Sequence, residues 1–499
     1  MKVLLLNKNH DVNPEQKLPW NEKELTQDLE LNIMFNAMAL NDEFLFEAAK
    51  KTVFWGLNND LGTIHYRQNI LKDCLKNSSI IRDIYAISVE AIESRKNSWF
   101  GIFTTYPSSI LSGSIGMMDI YMNLLKKIRN TADEHAVKFE SQGFSLFFEM
   151  LKKELGDEYF ITVQNHLREL KFNDGILISA ELGKGNKGIN YILRKLKVKK
   201  QSWLQRIFPK KEPYYTFDIH PRDESGAKAL SELKNEGINL VANALAQSCD
   251  HILGFFKMLR TELAFYIGCL NLHEQLTQMG EPASFPLPLP SDERKNSFKG
   301  LYDVCLALSM KQKIVGNDVN ADDKNPVIIT GANQGGKSTF LRSIGLAQLM
   351  MQCGMFVPAD SFSANICNSL FTHFKREEDS SMKSGKFDEE LSRMNEITEH
   401  ITSDSIILFN ESFAATNERE GSEIARQIVR ALAEKNITIF FVTHLYDFAN
   451  SVYDKNKKST LFLRAERQTD TRRTFKLIEG EPLETSYGID LYNRIFNDT

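Results

Sequence analysis

The strongest structural signal in the chain is the segment Pro326-Val-Ile-Ile-Thr-Gly-Ala-Asn-Gln-Gly-Gly-Lys-Ser-Thr339. Its first five residues are an apolar run typical of a buried strand, and residues 340–351 continue as an apolar helix pattern. Between them lies the spacing G-x-x-x-x-G-K-[ST]. Glycines at this spacing let backbone N–H groups surround a phosphate at the N-terminus of a helix. The segment therefore predicts a strand–loop–helix unit that binds a nucleoside triphosphate.

Each residue of this loop has a predicted role in binding ATP and Mg²⁺. Lys337 would reach the β- and γ-phosphates, and the Ser338 hydroxyl would be a ligand of Mg²⁺. The remaining loop residues would surround the phosphates; they are Gly331, Ala332, Asn333, Gln334, Gly335, Gly336 and Thr339.

Two further apolar runs, 405–409 and 438–443, predict strands that end in polar residues. The first delivers Asn410 and Glu411, and the second delivers His444. ATPases of this class place such residues beside the γ-phosphate, where one holds the Mg²⁺ shell and the next polarises the attacking water. We therefore predict Asn410 as a metal-site residue, and Lys337, Glu411 and His444 as catalytic residues. Because Asn410 offers an oxygen without a charge, we expect slow turnover or a high Mg²⁺ requirement.

Upstream of this region the sequence is mostly helical. Amphipathic tracts cover about residues 112–155 and 227–279. The second tract contains Gly237, Gly254 and Gly268, so it is either one long helix or two to three helices broken at these glycines.

Two strand-like stretches, 175–183 and 214–219, lie between the helical tracts and predict a pair of strands. Residues 184–211 contain ten basic residues and no acidic one. This segment is either a phosphate-gripping tip with salt-sensitive DNA affinity or a solvated loop that maintains solubility. The candidate DNA-binding residues are Lys197, Lys199, Lys200, Lys210 and Lys211.

Composition excludes several classes of protein. The 499 residues are 25% charged and 42% apolar, as in globular proteins, and 61 basic against 65 acidic residues exclude a wholly basic nucleic-acid coat. Apolar runs are too short for a membrane span or a secretory signal. The six cysteines are scattered without a C-x-x-C pair, which favours buried thiols in a reducing cytoplasm.

These patterns predict three regions, with a proline-rich boundary at 282–290. Residues 1–111 would be an N-terminal segment and the start of a helical core domain. Residues 112–281 would be lever helices that carry a small β-containing, clamp-like basic insertion at about 173–222. Residues 282–499 would be an α/β P-loop ATPase domain.

In these motifs the chain resembles the MutS family of DNA mismatch-repair ATPases, which belongs to the ABC-type P-loop class. The segment Thr330-Gly-Ala-Asn-Gln-Gly-Gly-Lys-Ser-Thr339 is similar to that family's T-G-x-N-x-G-G-K-S-T. Val442-Thr443-His444 and Ser486-Tyr487-Gly488-Ile489 are similar to its A-T-H and S-Y-G-[IL] motifs. Thr416 and Gly421 occupy matching places, and residues 63–68 resemble its core domain.

The resemblance implies a homodimer in which each ATP lies between one P-loop and a signature segment of the partner. The candidate signature is 383–390, with Ser384 as the ATP-binding residue. Because the sequence begins almost at the core domain, without the family's mismatch-reading domain, we expect a clamp on DNA that recognises a structure such as a junction. The alternative is an ATPase switch that acts on a protein partner without DNA. A transporter subunit is disfavoured because the L-S-G-G-Q signature is absent from the sequence.

Overall fold

The computed structural model describes residues 1–97, 106–195, 215–331, 334–376, 385–456, 458–467, 473–482 and 496. The chain forms two compact units. Unit 1 contains Met1–Val3, Arg82–Val137 and Leu146–Arg260, and unit 2 contains Leu4–Ile81, Lys138–Ser145 and Thr261–Thr499. The boundaries of these two units differ from the boundaries of the three predicted regions. The three regions therefore stay a prediction. The expected mixture of helix and sheet is confirmed.

The α-helices, in chain order, are α1 Glu22–Asp28, α2 Leu31–Ala39, α3 Glu43–Trp55, α4 Leu61–Lys76, α5 Ser78–Asn97, α6 Pro107–His135, α7 Gln142–Glu154, α8 Asp157–Leu170, α9 Glu224–Gln278, α10 Val304–Met310, α11 Lys337–Gln352, α12 Lys386–His400, α13 Glu418–Glu434 and α14 Tyr446–Asn456. The strands are β1 Leu177–Leu182, β2 Gly188–Arg194, β3 Leu287–Leu289, β4 Asn296–Leu301, β5 Asn317–Asn320, β6 Val327–Thr330, β7 Ser361–Asn365, β8 Leu370–Phe374, β9 Ile406–Asn410, β10 Thr438–Val442, β11 Leu461–Arg467 and β12 Arg473–Glu479.

The second helical tract is one continuous helix, α9, of 55 residues. Its glycines do not break it, and two of them lie where a neighbouring side chain packs closely. A Cβ on Gly237 would lie 2.4 Å from Ile178 Cδ1 of β1, and one on Gly268 would lie 3.2 Å from Met38 Cε. Glycine costs an exposed helix about 1 kcal/mol relative to alanine. At these two positions a larger residue would require the neighbouring side chain to move.

Unit 1 also contains the small hairpin β1–β2, which is antiparallel and pairs Leu177 with Arg194. The predicted pairing of 175–183 with 214–219 is therefore wrong. The first stretch does form β1, but its partner is the nearby β2, and residues 215–219 lie outside any strand. A short turn between β1 and β2 makes local pairing less costly in chain entropy than pairing across the basic segment.

The main sheet of unit 2 has the strand order β12-β11-β6-β10-β9-β8. The strands from β11 to β8 run parallel, and only β12 is antiparallel to its neighbour. Every residue of β6 and β8 is buried, as expected for strands covered on both faces. Register pairs Ile329 with Val442 and Val442 with Asn410. The carboxyl ends of β6, β10 and β9 therefore lie side by side, where open parallel sheets bind ligands.

A second sheet in unit 2 has the order β3-β7-β4-β5. The apolar core of the main sheet is rich in phenylalanine, and Phe409 of β9 stacks on Phe441 of β10 with ring centroids 4.8 Å apart. All six cysteines are buried and unpaired, as predicted. Among the described residues, every helix is too short or too polar to cross a membrane.

Candidate nucleotide site

The glycine-rich loop joins β6 to the N-terminus of the 16-residue helix α11. Gly331 has a φ of 114° and Gly336, the N-cap of α11, has a φ of 87°. Both values lie in the left-handed region, which favours glycine. A Cβ on Gly331 would also lie 3.0 Å from the Ala465 nitrogen. Helix N–H groups preceded by such a loop suit an anion, so the described part of the loop fits a phosphate.

Lys337 is buried in this loop, with 5% of its surface exposed. Its Nζ donates to the Gly331 carbonyl oxygen over 2.9 Å. Burial lowers the pKa of Lys337 to about 8. A nearby anion would stabilise the charged form of this buried lysine, because it would compensate for the hydration that the ammonium group lost on burial. The position of Lys337 is therefore the one expected of a phosphate-binding lysine.

Ser338 and Asn410, the two residues predicted to hold the metal ion, are hydrogen-bonded to each other. The Ser338 hydroxyl donates to Asn410 Oδ1 over 2.8 Å, which brings two neutral oxygens together. Within the described ranges, no group of three or more His, Cys, Asp or Glu side chains could hold a metal ion. Mg²⁺ in nucleotide sites is bound through few protein oxygens, together with phosphate oxygens and water. The Ser338–Asn410 pair fits that mode of binding.

Glu411 and His444 form the third element of the site. His444 Nε2 lies 3.1 Å from Glu411 Oε1, and the Glu411 N–H donates to the Val442 carbonyl over 2.9 Å. The hydrogen bond from His444 lowers the pKa of Glu411, and the nearby Lys375 and Lys337 act in the same direction. The carboxylate is therefore ionised at neutral pH and can accept a proton, as a general base must.

The structure thus brings together Lys337, Ser338, Asn410, Glu411 and His444 at adjacent strand ends. Their catalytic and ligand roles stay predictions. Several predicted site residues lie outside the described residues, so their placement is a prediction as well; they are Ala332, Asn333, Ser384, Lys197, Lys199, Lys200, Lys210 and Lys211. The motif at 486–489 also lies outside them.

A cavity of about 360 Å³ beside the loop was not predicted from the sequence. Thr339 and Gln334 contribute one side of it, and Tyr302, Asp303 and Phe475 contribute others. Asp303 is the N-cap of α10 and accepts a hydrogen bond from Arg342 Nε over 2.5 Å. The cavity is large enough for a nucleobase with its sugar. No single motif in the sequence predicts it, because its walls come from three separate segments, residues 301–317, residues 334–343 and Phe475.

Comparison with known proteins agrees with this geometry. Residues 59–279 match the MutS2 N-terminal domain, and residues 327–497 match MutS domain V. The second match contains the whole strand–loop–helix unit, β9, β10, Glu411 and His444.

Individual relatives are distant and longer. The DNA mismatch repair protein MutS of Prochlorococcus marinus (strain MIT 9301) is 26% identical over 404 residues, which is 78% of this chain and 41% of that protein. The corresponding protein of Lactobacillus acidophilus is 29% identical over 52% of this chain and 32% of its own length. Human MutS protein homolog 4 is 24% identical over 54% of this chain and 29% of its length. With two separate MutS domains matched on either side of the proline-rich segment, the chain belongs to the MutS family.

Proposed function

We propose that this chain is an ATPase of the MutS type, in which ATP binding and hydrolysis gate a dimeric clamp on DNA. The observation that carries the proposal is the convergence of three strand ends. They place Lys337, the Ser338–Asn410 pair and the Glu411–His444 pair at one edge of a parallel sheet. We assign the domain to the ABC-type P-loop class on the same basis.

In the proposed reaction each side chain has one task. Lys337 binds the phosphates, and the glycine-rich loop donates backbone N–H groups to them. Ser338 and Asn410 would hold Mg²⁺, which when bound neutralises phosphate charge. Glu411 accepts a proton from the attacking water, and His444 keeps the Glu411 carboxylate ionised and oriented. The cavity beside Thr339 would receive the base and sugar.

For the DNA-binding part, the support comes from charge and from relatives. Two of the relatives cited above are named as DNA mismatch repair proteins. The segment 184–211 has ten basic residues and no acidic one, which suits contacts to phosphates. Phosphate contacts carry no base sequence information, so we propose recognition of a DNA shape such as a four-way junction. The lever helices would correspond to α6 and α9 and the clamp to about residues 173–222, in a protein of the reducing cytoplasm.

The test is ATP hydrolysis by the purified protein, measured without DNA and with plain duplex, a single-mismatch duplex and a four-way junction, each at two salt concentrations. The proposal expects stimulation by DNA, greatest with the junction and weaker at high salt. Stimulation by the mismatched duplex alone would show that the protein recognises mismatches and would contradict recognition of a DNA shape. Hydrolysis with no response to any DNA would favour a switch that acts on a protein partner.

A further inference from the structure

The turn that carries Glu411 has an unusual backbone. Glu411 has a φ of 54° and Phe413 has a φ of 62°, so two non-glycine residues in this short turn are in the left-handed region. Such conformations are costly and persist only where surrounding groups hold them. The contacts of residues 410–413 therefore identify what sets the position of the Glu411 carboxylate.

One of these contacts is His373, the fourth residue of β8, which is fully buried. Its Nδ1 lies 2.7 Å from Ser412 Oγ, and its Nε2 lies 3.0 Å from the Glu390 carbonyl oxygen of α12. The ring also stacks on Phe413, with centroids 5.3 Å apart and planes 21° apart. His373 thus contacts both the turn and α12.

The protonation state of the His373 ring determines which of its nitrogens donates a hydrogen bond and which can only accept one. Burial lowers the pKa of the ring to about 4, and the neighbouring Arg393 acts in the same direction. The neutral ring has a single N–H at pH 7. Because the Glu390 carbonyl can only accept, that N–H lies on Nε2. The Ser412 hydroxyl donates to the His373 main-chain carbonyl oxygen over 2.5 Å, and its oxygen also lies 2.7 Å from the unprotonated Nδ1. His373 therefore holds Ser412 through both its ring and its main chain, while its ring donates to α12.

Glu390 also lies near this turn. Its side chain is only 5% exposed, and burial raises the pKa of its carboxyl group, whereas the nearby Phe413 backbone acts to lower it. The turn is joined to α12 by His373, which contacts Ser412 on one side and the Glu390 carbonyl oxygen on the other.

We propose that His373 is a positioning residue for Glu411, and that the position of α12, to which His373 is bonded, sets whether the Glu411 carboxylate is placed for hydrolysis. This inference rests on the proposed ATPase function and adds a means of regulating it. A displacement of α12 would move the turn while leaving the phosphate-binding loop in place. The rate of hydrolysis would then change without a change in ATP affinity.

The test compares His373→Leu with the parent protein. Because small misplacement of a catalytic group is costly, we expect kcat to fall by about 10- to 100-fold. The KM and the Kd for a non-hydrolysable ATP analogue should stay at the parental values. His373→Gln keeps an N–H for the Glu390 carbonyl and should recover part of the lost kcat. Ser412→Ala, which removes a single hydroxyl, is a milder variant that tests the same contact if His373→Leu does not fold.

Two controls separate positioning from general loss of structure. Val429→Ala removes apolar contacts from the same core but on a different helix, α13, so it should lower the unfolding temperature and leave kcat unchanged. In a Glu411→Gln background, adding His373→Leu should lower kcat no further, because both changes remove the same carboxylate function.

The outcomes distinguish failure of the proposed function from failure of the positioning role. If the parent protein hydrolyses no ATP, the proposed function fails and this inference fails with it. If the parent hydrolyses ATP and the folded variants keep its kcat, only the positioning role is overturned. Equal losses in kcat and ATP affinity, or additive losses with Glu411→Gln, would also overturn that role.

Discussion

The Ser338 hydroxyl donates to Asn410 Oδ1 over 2.8 Å, which joins the first turn of α11 to the last residue of β9. Both partners are neutral. P-loop ATPases usually have an aspartate at the position of Asn410, so this site offers Mg²⁺ an oxygen without its negative charge.

Asn410→Asp should therefore lower the Mg²⁺ concentration needed for half-maximal ATP hydrolysis. A carboxylate attracts the cation more strongly than an amide does, and a gain of about 1.4 kcal/mol corresponds to tenfold. The measurement is a Mg²⁺ titration of the ATPase rate, with Asn410→Ala as the variant that removes the oxygen. An unchanged Mg²⁺ dependence in Asn410→Asp would mean that Ser338 and the nucleotide hold the ion without residue 410.

Lys337→Ala should weaken ATP binding, because a charge-assisted hydrogen bond is worth about 1.5–3 kcal/mol. Calorimetric titration with a non-hydrolysable analogue measures the loss. Lys435→Ala, which changes an exposed lysine just after α13, is the control and should keep the parental Kd. A parental Kd in Lys337→Ala would contradict the phosphate-binding role.

The pH dependence of ATP affinity should follow Lys337. Its pKa of about 8 is below the ordinary value, so in the nucleotide-free protein the ammonium loses its proton as the pH rises through about 8. Bound phosphates favour the charged form. Above that pH, binding must take up a proton and the affinity should fall. Titrations in buffers of different ionisation enthalpy detect the proton uptake, which Lys337→Ala should abolish.

Glu411→Gln should retain ATP binding and trap bound ATP. An amide keeps the shape of the side chain but cannot accept the proton, and removal of a general base costs about 10²- to 10⁴-fold in rate. Single-turnover hydrolysis and nucleotide retention on a filter measure both effects. Parental turnover in this variant would exclude Glu411 as the base.

His444→Ala should move the acidic limb of the pH–rate profile to higher pH. The hydrogen bond from His444 is the main cause of the lowered pKa of Glu411, so its loss raises that pKa. Glu411 then becomes protonated, and inactive as a base, at a higher pH than in the parent. A profile measured from acidic to neutral pH tests this shift, and an unshifted limb would assign His444 another role.

Reversing charge at the basic segment should abolish DNA binding and spare basal ATP hydrolysis. The change replaces Lys197, Lys199, Lys200, Lys210 and Lys211 by Glu. Each lost phosphate contact lowers the salt dependence of binding by about one unit of log–log slope. The matched control reverses five exposed lysines of unit 2, namely Lys8, Lys17, Lys23, Lys299 and Lys435. Equal DNA affinity in both variants would remove the clamp assignment.

Much of the nucleotide site follows from local sequence. The apolar run, the glycine spacing and the apolar helix are contiguous over 326–351, and short-range sterics and hydrogen bonding are enough to specify a strand–loop–helix unit. The strand-end positions of Asn410, Glu411 and His444 are predictable for the same reason, since each directly follows an apolar run. In the second helical tract the glycines left two alternatives open, and the structure has one helix that continues through all three glycines.

The relations between distant segments were decided by the tertiary structure alone. Parallel register sets Asn410 beside Ser338, 72 residues away. It also lets His373 reach Ser412, 39 residues away. The cavity beside the loop and the β1–β2 pairing depend likewise on which surfaces meet. The pattern of apolar and polar residues around a position determines its local conformation. Its hydrogen-bond partner in a distant segment depends on the strand order and on which surfaces are buried together, and neither can be read from one segment alone.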